Sequence, residues 1–279
     1  MHLLLAQAGA FASDQTPIRV HDAAGRTVEL SRPASRIVAL APHIVENLFA
    51  IDAGDVLLAA VDYSDHPPAA RELPRVGGIV GISLEAIVAQ RPDLVLAWGS
   101  GTDPAILAAL ESLGLPYYVD EIRSLDELAQ SISNLGAITG HSESARRAVE
   151  RIRTTIDAVT CAGVVERNEV FLQIWDQPLQ SVGRDHLLTE VIARCGGRSV
   201  TAALPGLAPQ VSLEAILAAD PALIVVESVD QAKPWLRFPT LSAVAHGRIA
   251  VIDPDLLHRP TLRLLEGMKQ LCAALRADN

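Results

Sequence analysis

The sequence predicts an α/β protein of two similar lobes joined by one long helix, and three observations carry that prediction. Residues 82–97, ISLEAIVAQRPDLVLA, recur as VSLEAILAADPALIVV at 211–226, with about half the positions identical at an offset of 129 (212 − 83). The runs Leu94-Val95-Leu96-Ala97 and Leu223-Ile224-Val225-Val226 are nearly all apolar, as strands are when a parallel sheet is covered on both faces. Between the two copies, residues 141–160 pass without Gly or Pro and carry Ala145, Ala148, Val149, Ile152, Ile156 and Val159 on one helical stripe.

Each copy of the repeat is one supersecondary unit. A Ser stands at the helix N-cap, a Glu in the first turn completes the helix dipole, a short apolar helix follows, and a Pro stops it before the strand. At 1.5 Å per residue the helix between the lobes runs about 30 Å, a rigid rod rather than a flexible tether, with Ser142 as its expected N-cap. The predicted divisions are an N-terminal segment over 1–17, a first lobe over 18–139, a bridge over 140–165 and a second lobe over 166–279.

Composition narrows the function. A chain of 279 residues can hold two domains of ordinary size, each with its own core. A net charge of −10 and a pI near 5.2 argue against nucleic acid, which needs a basic stripe. No run of eighteen apolar residues is present. The start, MHLLLAQAGAFAS, joins a short apolar stretch to a small-x-small site at Ala10-Phe11-Ala12 without a basic n-region, and is expected to be the remainder of a secretory signal; a frayed apolar N-terminus or a first strand is the alternative.

In chain order, residues 18–30 alternate about Ala24-Gly25 as a hairpin, and Ile37 to Leu40 form a buried strand leading through Ala41-Pro42-His43 into a helix over 44–51 with Glu46 in its first turns. A strand over 56–61 opens into Asp62-Tyr63-Ser64-Asp65-His66-Pro67-Pro68, a polar loop where an α/β sheet exposes ligands. The first repeat strand ends at Trp98-Gly99-Ser100-Gly101, a Trp at a sheet mouth; burial in the core is the other reading. Helices are expected over 104–113 and 125–139, with a strand over 116–119. The second lobe repeats the plan: a strand over 170–174 opens into Trp175-Asp176, a helix over 187–194 is stopped by Cys195-Gly196-Gly197, and a helix over 241–246 and a strand over 249–252 follow the second repeat. Residues 253–260, including His258 and Arg259, are expected to be loop, and a helix over 262–275 closes the chain.

The common catalytic and cofactor signatures are missing: no G-x-S-x-G, P-loop, H-E-x-x-H or G-x-G-x-x-G occurs. Asp62, Asp65 and His66, with His43 or His258, could assemble a metal site from separate loops, but short Asp/His loops are more often hydrogen-bonded turns, so no metal, cofactor or enzymatic activity is expected. Cys195 and Cys272 would staple the end of the chain to the second lobe if bonded, worth about 4 to 5 kcal/mol in the loop-entropy model, and the alternative is two unpaired buried thiols. Cys161 would then remain free.

The ordered segments R-I-V-A-L-A-P…E (Arg36 to Glu46), D-Y-S-D-x-P-P (Asp62 to Pro68), V-G-G…S-L-E-A-I…P-D-L-V-L-A-W (Val76 to Trp98), C-G-G (Cys195 to Gly197) and P-x-V-S-L-E (Pro209 to Glu214) resemble the periplasmic cobalamin-binding proteins of ABC importers, within the wider group of siderophore, haem and corrinoid receptors. The resemblance covers nearly the whole chain from Arg36. It implies two Rossmann-like lobes bridged by one long helix, the class III periplasmic binding protein fold, with the ligand in the cleft, limited hinge motion, a monomer, and a permease with its ATPase as partners.

The resemblance also distributes roles. Tyr63 and Trp98 match positions that line the corrin cleft, Cys195 and Cys272 match a disulfide pair, and Glu85 and Glu214 match carboxylates that dock onto permease arginines. Trp175 is expected to add a ligand face from the second lobe, with Asp65, His66, Asp176 and Arg259 at the rim. Where better-known cobalamin receptors carry tryptophans, this chain has Ile79-Val80 and Leu207-Ala208, a less aromatic cleft. A haem or iron-siderophore receptor with His66 or Tyr63 as axial ligand is the alternative within the fold, and a metal-dependent enzyme the alternative outside it.

Overall fold

A computed structural model describes residues 17–78, 81–160 and 168–276. The expected signal remnant, Ile79-Val80 and Cys161 lie outside the described residues.

The chain opens with an antiparallel hairpin, β1 (Ile18–His21) and β2 (Thr27–Leu30), turned at Gly25 with φ 76°. Then come β3 (Ile37–Ala39), α1 (Pro42–Ala50), β4 (Leu57–Ala60), the two-residue pair β5 (Gly77–Gly78) and β6 (Gly81–Ile82), α2 (Leu84–Ala89), β7 (Leu94–Trp98), α3 (Pro104–Ser112) and β8 (Tyr117–Asp120). Helices α4 (Leu125–Thr139) and α5 (Ser142–Thr160) lead to the second half. That half holds β9 (Asn168–Asp176), β10 (Leu179–Ser181), α6 (Leu187–Arg194), β11 (Gly197–Ser199), α7 (Leu213–Ala219), β12 (Leu223–Val226), α8 (Val229–Ala232), α9 (Ser242–Ala245), β13 (Ile249–Val251), α10 (Pro254–Leu257) and α11 (Leu264–Arg276).

Two separate sheets result. The first has the parallel order β4-β3-β7-β8 and the second the parallel order β11-β9-β12-β13, with β10 adding antiparallel to the far end of β9. In chain order each is second-first-third-fourth, so each reverses direction beside its first strand, β3 or β9. That reversal opens a crevice beyond the strands' carboxyl ends, where open α/β sheets hold ligands.

The repeat folds twice in the same way. Ser83 and Ser212 cap α2 and α7 by accepting from the Ala86 and Ala215 amides, both at 3.1 Å. The residues before the two prolines, Arg91 and Asp220, both sit at positive φ, 49° and 43°, and reverse the chain into β7 and β12. A left-handed residue ahead of Pro is thus part of the unit, and it costs either side chain on the order of 1 to 2 kcal/mol.

Between the sheets, α5 is no free-standing rod. Its Ala145, Ala148 and Ile152 are buried, and it packs along α4 and against α6 and α11. A Cβ at Gly136 of α4 would stand 2.3 Å from that of Ala145, so glycine there sets the close approach of the two helices. One hydrophobic core runs through α1, α4, α5, α6 and α11 and joins the inner faces of both sheets, while smaller cores back their outer faces. Cys195 and Cys272 form a disulfide that ties α11 to the end of α6.

Two expectations are corrected. Ser142 does not cap α5; it is the helix's first residue, and its hydroxyl donates to the Gly136 carbonyl at 3.4 Å, while the His141 carbonyl accepts from Ala145. Residues 253–260 are not all loop, because Asp253 caps α10 by accepting from the Asp255 amide, with Pro254 at the first helical position.

Candidate functional site

The carboxyl ends of β7, β9 and β12 and the segment after β13 face one another across the two halves. Between them lies a cavity of about 290 Å³. Trp98, Ser100, Glu121 and Ile122 line it from the first lobe, and Ile174, His186, Leu187, Leu207, Leu257 and His258 from the second. The wall is mostly apolar with a few convergent polar groups, the usual character of a small-molecule site.

Trp98 ends β7 and is 36% exposed, so it is a wall of the cleft rather than a core residue. Its ring is held from two sides. His43 of α1 meets it edge-on with centroids 5.5 Å apart, and a Cβ at Gly101 would stand 1.9 Å from a Trp98 ring carbon. His43 is itself buried, with Nε2 at 3.5 Å from the buried Asp120 carboxylate. The small residues after Trp98 are therefore the floor on which its ring lies.

Tyr63 stands 65% exposed at φ 62°, a backbone conformation that costs a bulky residue about 1 to 3 kcal/mol and that clusters at ligand clamps. Its loop is fixed from below by Arg75, which donates to the Ser64 and Ala70 carbonyls at 2.9 and 3.2 Å. His66 is exposed and precedes a cis proline.

Arg259 joins the lobes. Its Nη1 donates to Glu46 Oε1 at 2.6 Å and to Asp65 Oδ1 at 2.8 Å, and its Nη2 lies 3.4 Å from Asp255. Arg263 adds a second contact to Glu46 at 3.6 Å, and Asn47 donates to the Pro260 carbonyl at 3.0 Å. Glu46 is buried in α1, so a carboxylate of the first lobe depends on two guanidiniums of the second. Burial pulls the Asp65 carboxyl upward, but the hydrogen bond and charge of Arg259 outweigh it and hold Asp65 below its ordinary range. Asp65 and Arg259 thus meet each other across the cleft.

The second lobe places its two expected residues differently. Trp175 is 59% exposed, and its indole nitrogen donates to the Gln177 carbonyl at 3.1 Å. Asp176 accepts from Gln173 and lines a neighbouring pocket with Trp235 and Phe238; it is Ile174, two residues earlier, that reaches the interlobe cavity.

Sequence reasoning missed a titratable cluster on this wall. Glu227, directly after β12, has Oε1 3.1 Å from His258 Nε2. Burial and the neighbouring Asp176 push the Glu227 carboxyl up to about 7, only partly countered by Gln231. Burial pulls His258 down against the opposing charge of Asp255. His186 is lowered to about 4 by burial and by His258, and its Nδ1 accepts from the Leu188 amide at 3.0 Å, capping α6. The available signal was the repeat itself, because the offset of 129 sets Glu227 against Trp98 (98 + 129).

Glu85 and Glu214 are exposed in the first turns of α2 and α7, with no ion pair to any described residue. They occupy matching places on the two lobes.

Known proteins resemble the chain over most of its length. The family model described as periplasmic binding protein matches residues 37–256. A vitamin B12-binding protein of Vibrio cholerae is 34% identical over 88% of this chain and 90% of that protein, and one of Photorhabdus laumondii is 32% identical over 88% of each. The crystal structure of the periplasmic vitamin B12-binding protein BtuF of V. cholerae superposes with a TM-score of 0.81 over 88% of this chain and 97% of that one. A periplasmic haem-binding protein of Pseudomonas aeruginosa, 26% identical, gives 0.72 over 86% and 92%. With two parallel sheets, one long intervening helix and a cavity between the lobes, the chain belongs to the periplasmic binding protein family, as a solute-binding component rather than an enzyme.

Proposed function

We propose that this protein captures cobalamin or a closely related corrinoid between its lobes, in the periplasm, and delivers it to the permease and ATPase of an ABC importer. The observation that supports it most is the interlobe cavity walled by Trp98, together with relatives above 30% identity that are named for vitamin B12 binding. A corrinoid is a broad, largely apolar disc fringed with amides, so it calls for flat apolar faces and a few polar groups at the edge. Trp98, Ile122, Ile174, Leu207 and Leu257 provide the apolar surface; the exposed Tyr63 and Trp175 are available to widen it. His66 and Asp176 fit outer rim contacts, and Arg259 fits the edge beside Asp65. Leu207 lines the cavity where an aromatic ring was expected from the resemblance, so contact area per residue is lower.

The shared core and the Arg259 contacts keep the lobes apposed, so the cleft is largely preformed and little ordering accompanies binding. Glu85 and Glu214, one on each lobe and free of partners among the described residues, suit docking on permease arginines. Cyanocobalamin titrated against tryptophan fluorescence tests the reading. Saturable quenching at micromolar concentration or below is expected. Its absence up to about 100 μM, with hemin binding in the same assay, would favour the haem reading that the P. aeruginosa structure suggests.

A further inference from the structure

Helix α6 begins on an imidazole. Its N-cap is His186, whose Nδ1 accepts from the Leu188 amide at 3.0 Å, a task that Ser, Asp or Asn performs with a smaller side chain. Elsewhere in the chain Ser83, Asp103, Ser124, Ser212, Ser228 and Asp253 do it. The cap alone therefore does not account for histidine at this position.

The second ring nitrogen does. The His186 amide donates to the Gly183 carbonyl at 3.2 Å and the His186 carbonyl accepts from the Thr189 amide at 2.9 Å, so the backbone that carries the ring is fixed on both sides. Because Nδ1 accepts from a backbone N–H it holds no proton, and in the neutral ring the proton is on Nε2. The two nitrogens of an imidazole point away from each other, so Nε2–H turns away from the helix. It has no hydrogen-bond partner among the described residues and is not sealed from solvent, and both His186 and Leu187 line the interlobe cavity. Burial and His258 lower the ring to about 4, so near neutral pH it is uncharged and offers one donor.

The rest of the lining selects the acceptor. Among the described lining residues there is no Lys or Arg, and the one carboxylate, Glu121, is engaged by Ser100 and Arg123. Arg259, next to His258 in sequence, is taken by Glu46 and Asp65. An anion placed at His186 would be buried without a counter-charge, whereas a neutral carbonyl is satisfied by one N–H. Resting on the corrinoid reading, we propose that His186 is a specificity-determining residue that presents Nε2–H as a fixed donor to the carbonyl oxygen of a side-chain amide on the corrinoid rim. The bond that starts α6 thus also sets the tautomer that meets the ligand. The ring cannot turn to accept without breaking the cap, so at this point the cleft takes an acceptor and rejects a donor.

Asn and Gln separate the two nitrogens. In His186→Asn the amide oxygen takes the place of Nδ1, keeping the cap and removing the far donor; in His186→Gln the amide nitrogen reaches the place of Nε2 and the cap is weakened. His186→Asn is expected to melt with wild type yet bind cyanocobalamin about three- to tenfold more weakly, the scale of one neutral hydrogen bond, and His186→Gln to melt lower yet bind within about twofold of wild type. A purely structural role would make affinity follow melting temperature in both variants, and that outcome overturns the proposal. Histidine ring nitrogen NMR reads the tautomer directly. The His186 signal, identified by its loss in His186→Asn, is expected to show the proton on Nε2 and to move when cyanocobalamin binds. A proton on Nδ1, a signal unmoved at saturation, or equal affinity of wild type and His186→Asn overturns the assignment while the corrinoid reading stands. Isomers of cyanocobalamin with one side amide hydrolysed to a carboxylate should bind wild type no more tightly than the parent, and a tighter isomer would overturn the neutral acceptor. If cyanocobalamin does not bind wild type at all, the corrinoid reading falls and this inference with it.

Discussion

The two lobes run the same unit and then part ways at one residue. Through Ala97 and Val226 the copies match in cap, helix, left-handed turn and strand. At the next position the first lobe has Trp98 and the second Glu227, each with a histidine beside it: His43 meets the Trp98 ring edge-on, and His258 meets the Glu227 carboxylate at 3.1 Å. Everything before that position is fixed by local backbone requirements and core packing. At the strand exit that constraint ends: Trp98 lines the interlobe cavity, and Glu227 stands beside His258, which lines it from the other lobe. One wall therefore carries an aromatic ring, and the other, otherwise apolar, carries two imidazoles with a carboxyl beside one of them.

Treating the lobes as separable units breaks first at Arg259. Arg259→Ala leaves Glu46 buried with only the longer contact to Arg263, and a buried charge that loses its partner costs about 3 to 5 kcal/mol. Urea unfolding monitored by both fluorescence and circular dichroism should register that loss in one cooperative transition, because a single core spans the lobes. A loss below about 1 kcal/mol would mean that the lobes are held by apolar packing alone.

The comparison sharpens at the strand exits. Trp98→Ala should weaken cyanocobalamin by roughly 1 to 3 kcal/mol, the scale of a buried aromatic contact. Glu227→Gln, at the matching position of the other lobe, should leave it nearly unchanged. Equal losses in the titration would contradict unlike walls.

A pH series separates the walls without ligand. The Glu227 carboxyl is raised from 4.5 to about 7 by burial and by Asp176, so the folded protein holds its proton more tightly than the unfolded chain does. That contribution is present in full below pH 4.5 and is lost as pH rises through about 7. Wild type should thus fall relative to Glu227→Gln across this window, by on the order of 1 to 2 kcal/mol after allowing for solvent screening. His258 and His186, lowered by burial, act oppositely by weakening the fold as pH drops below 6.5, and both are retained in the variant. A stability difference that stays flat between pH 4.5 and 7 would reject the raised carboxyl.

What was legible in the sequence follows the same division. The repeat, its Ser caps, the strand runs and the spans of α4 and α6 depend on neighbours a few residues away, and those neighbours are written side by side. Trp98 could be placed at a sheet mouth because Gly99, Ser100 and Gly101 follow it. The Arg259 contact to Glu46 spans 213 residues and the Glu227–His258 pair joins two separate loops, so only the folded sheet order reveals them. The short strands β10 and β11 escaped for a related reason: three residues carry no period, and their pairing with β9 defines them. Asp253-Pro254, by contrast, was a visible helix start read as loop.

Glu85 and Glu214 are where the lobes remain alike, and there the smallest change in the isolated protein is expected. Each sits exposed in the first turn of its helix, where a carboxylate complements the dipole by about 0.3 to 1 kcal/mol. Neither lines the interlobe cavity. Replacing both by Ala should therefore lower stability only slightly and leave cyanocobalamin affinity within about twofold. Uptake through the importer should be lost, because two charges on two lobes fix the orientation of docking and one lobe alone cannot. Single variants, each keeping one charge, should fall between wild type and the double variant by similar amounts. Unequal single-variant uptake would mean that the permease distinguishes the lobes even where their sequences agree, and loss of cyanocobalamin binding in the double variant would place these carboxylates in ligand capture instead.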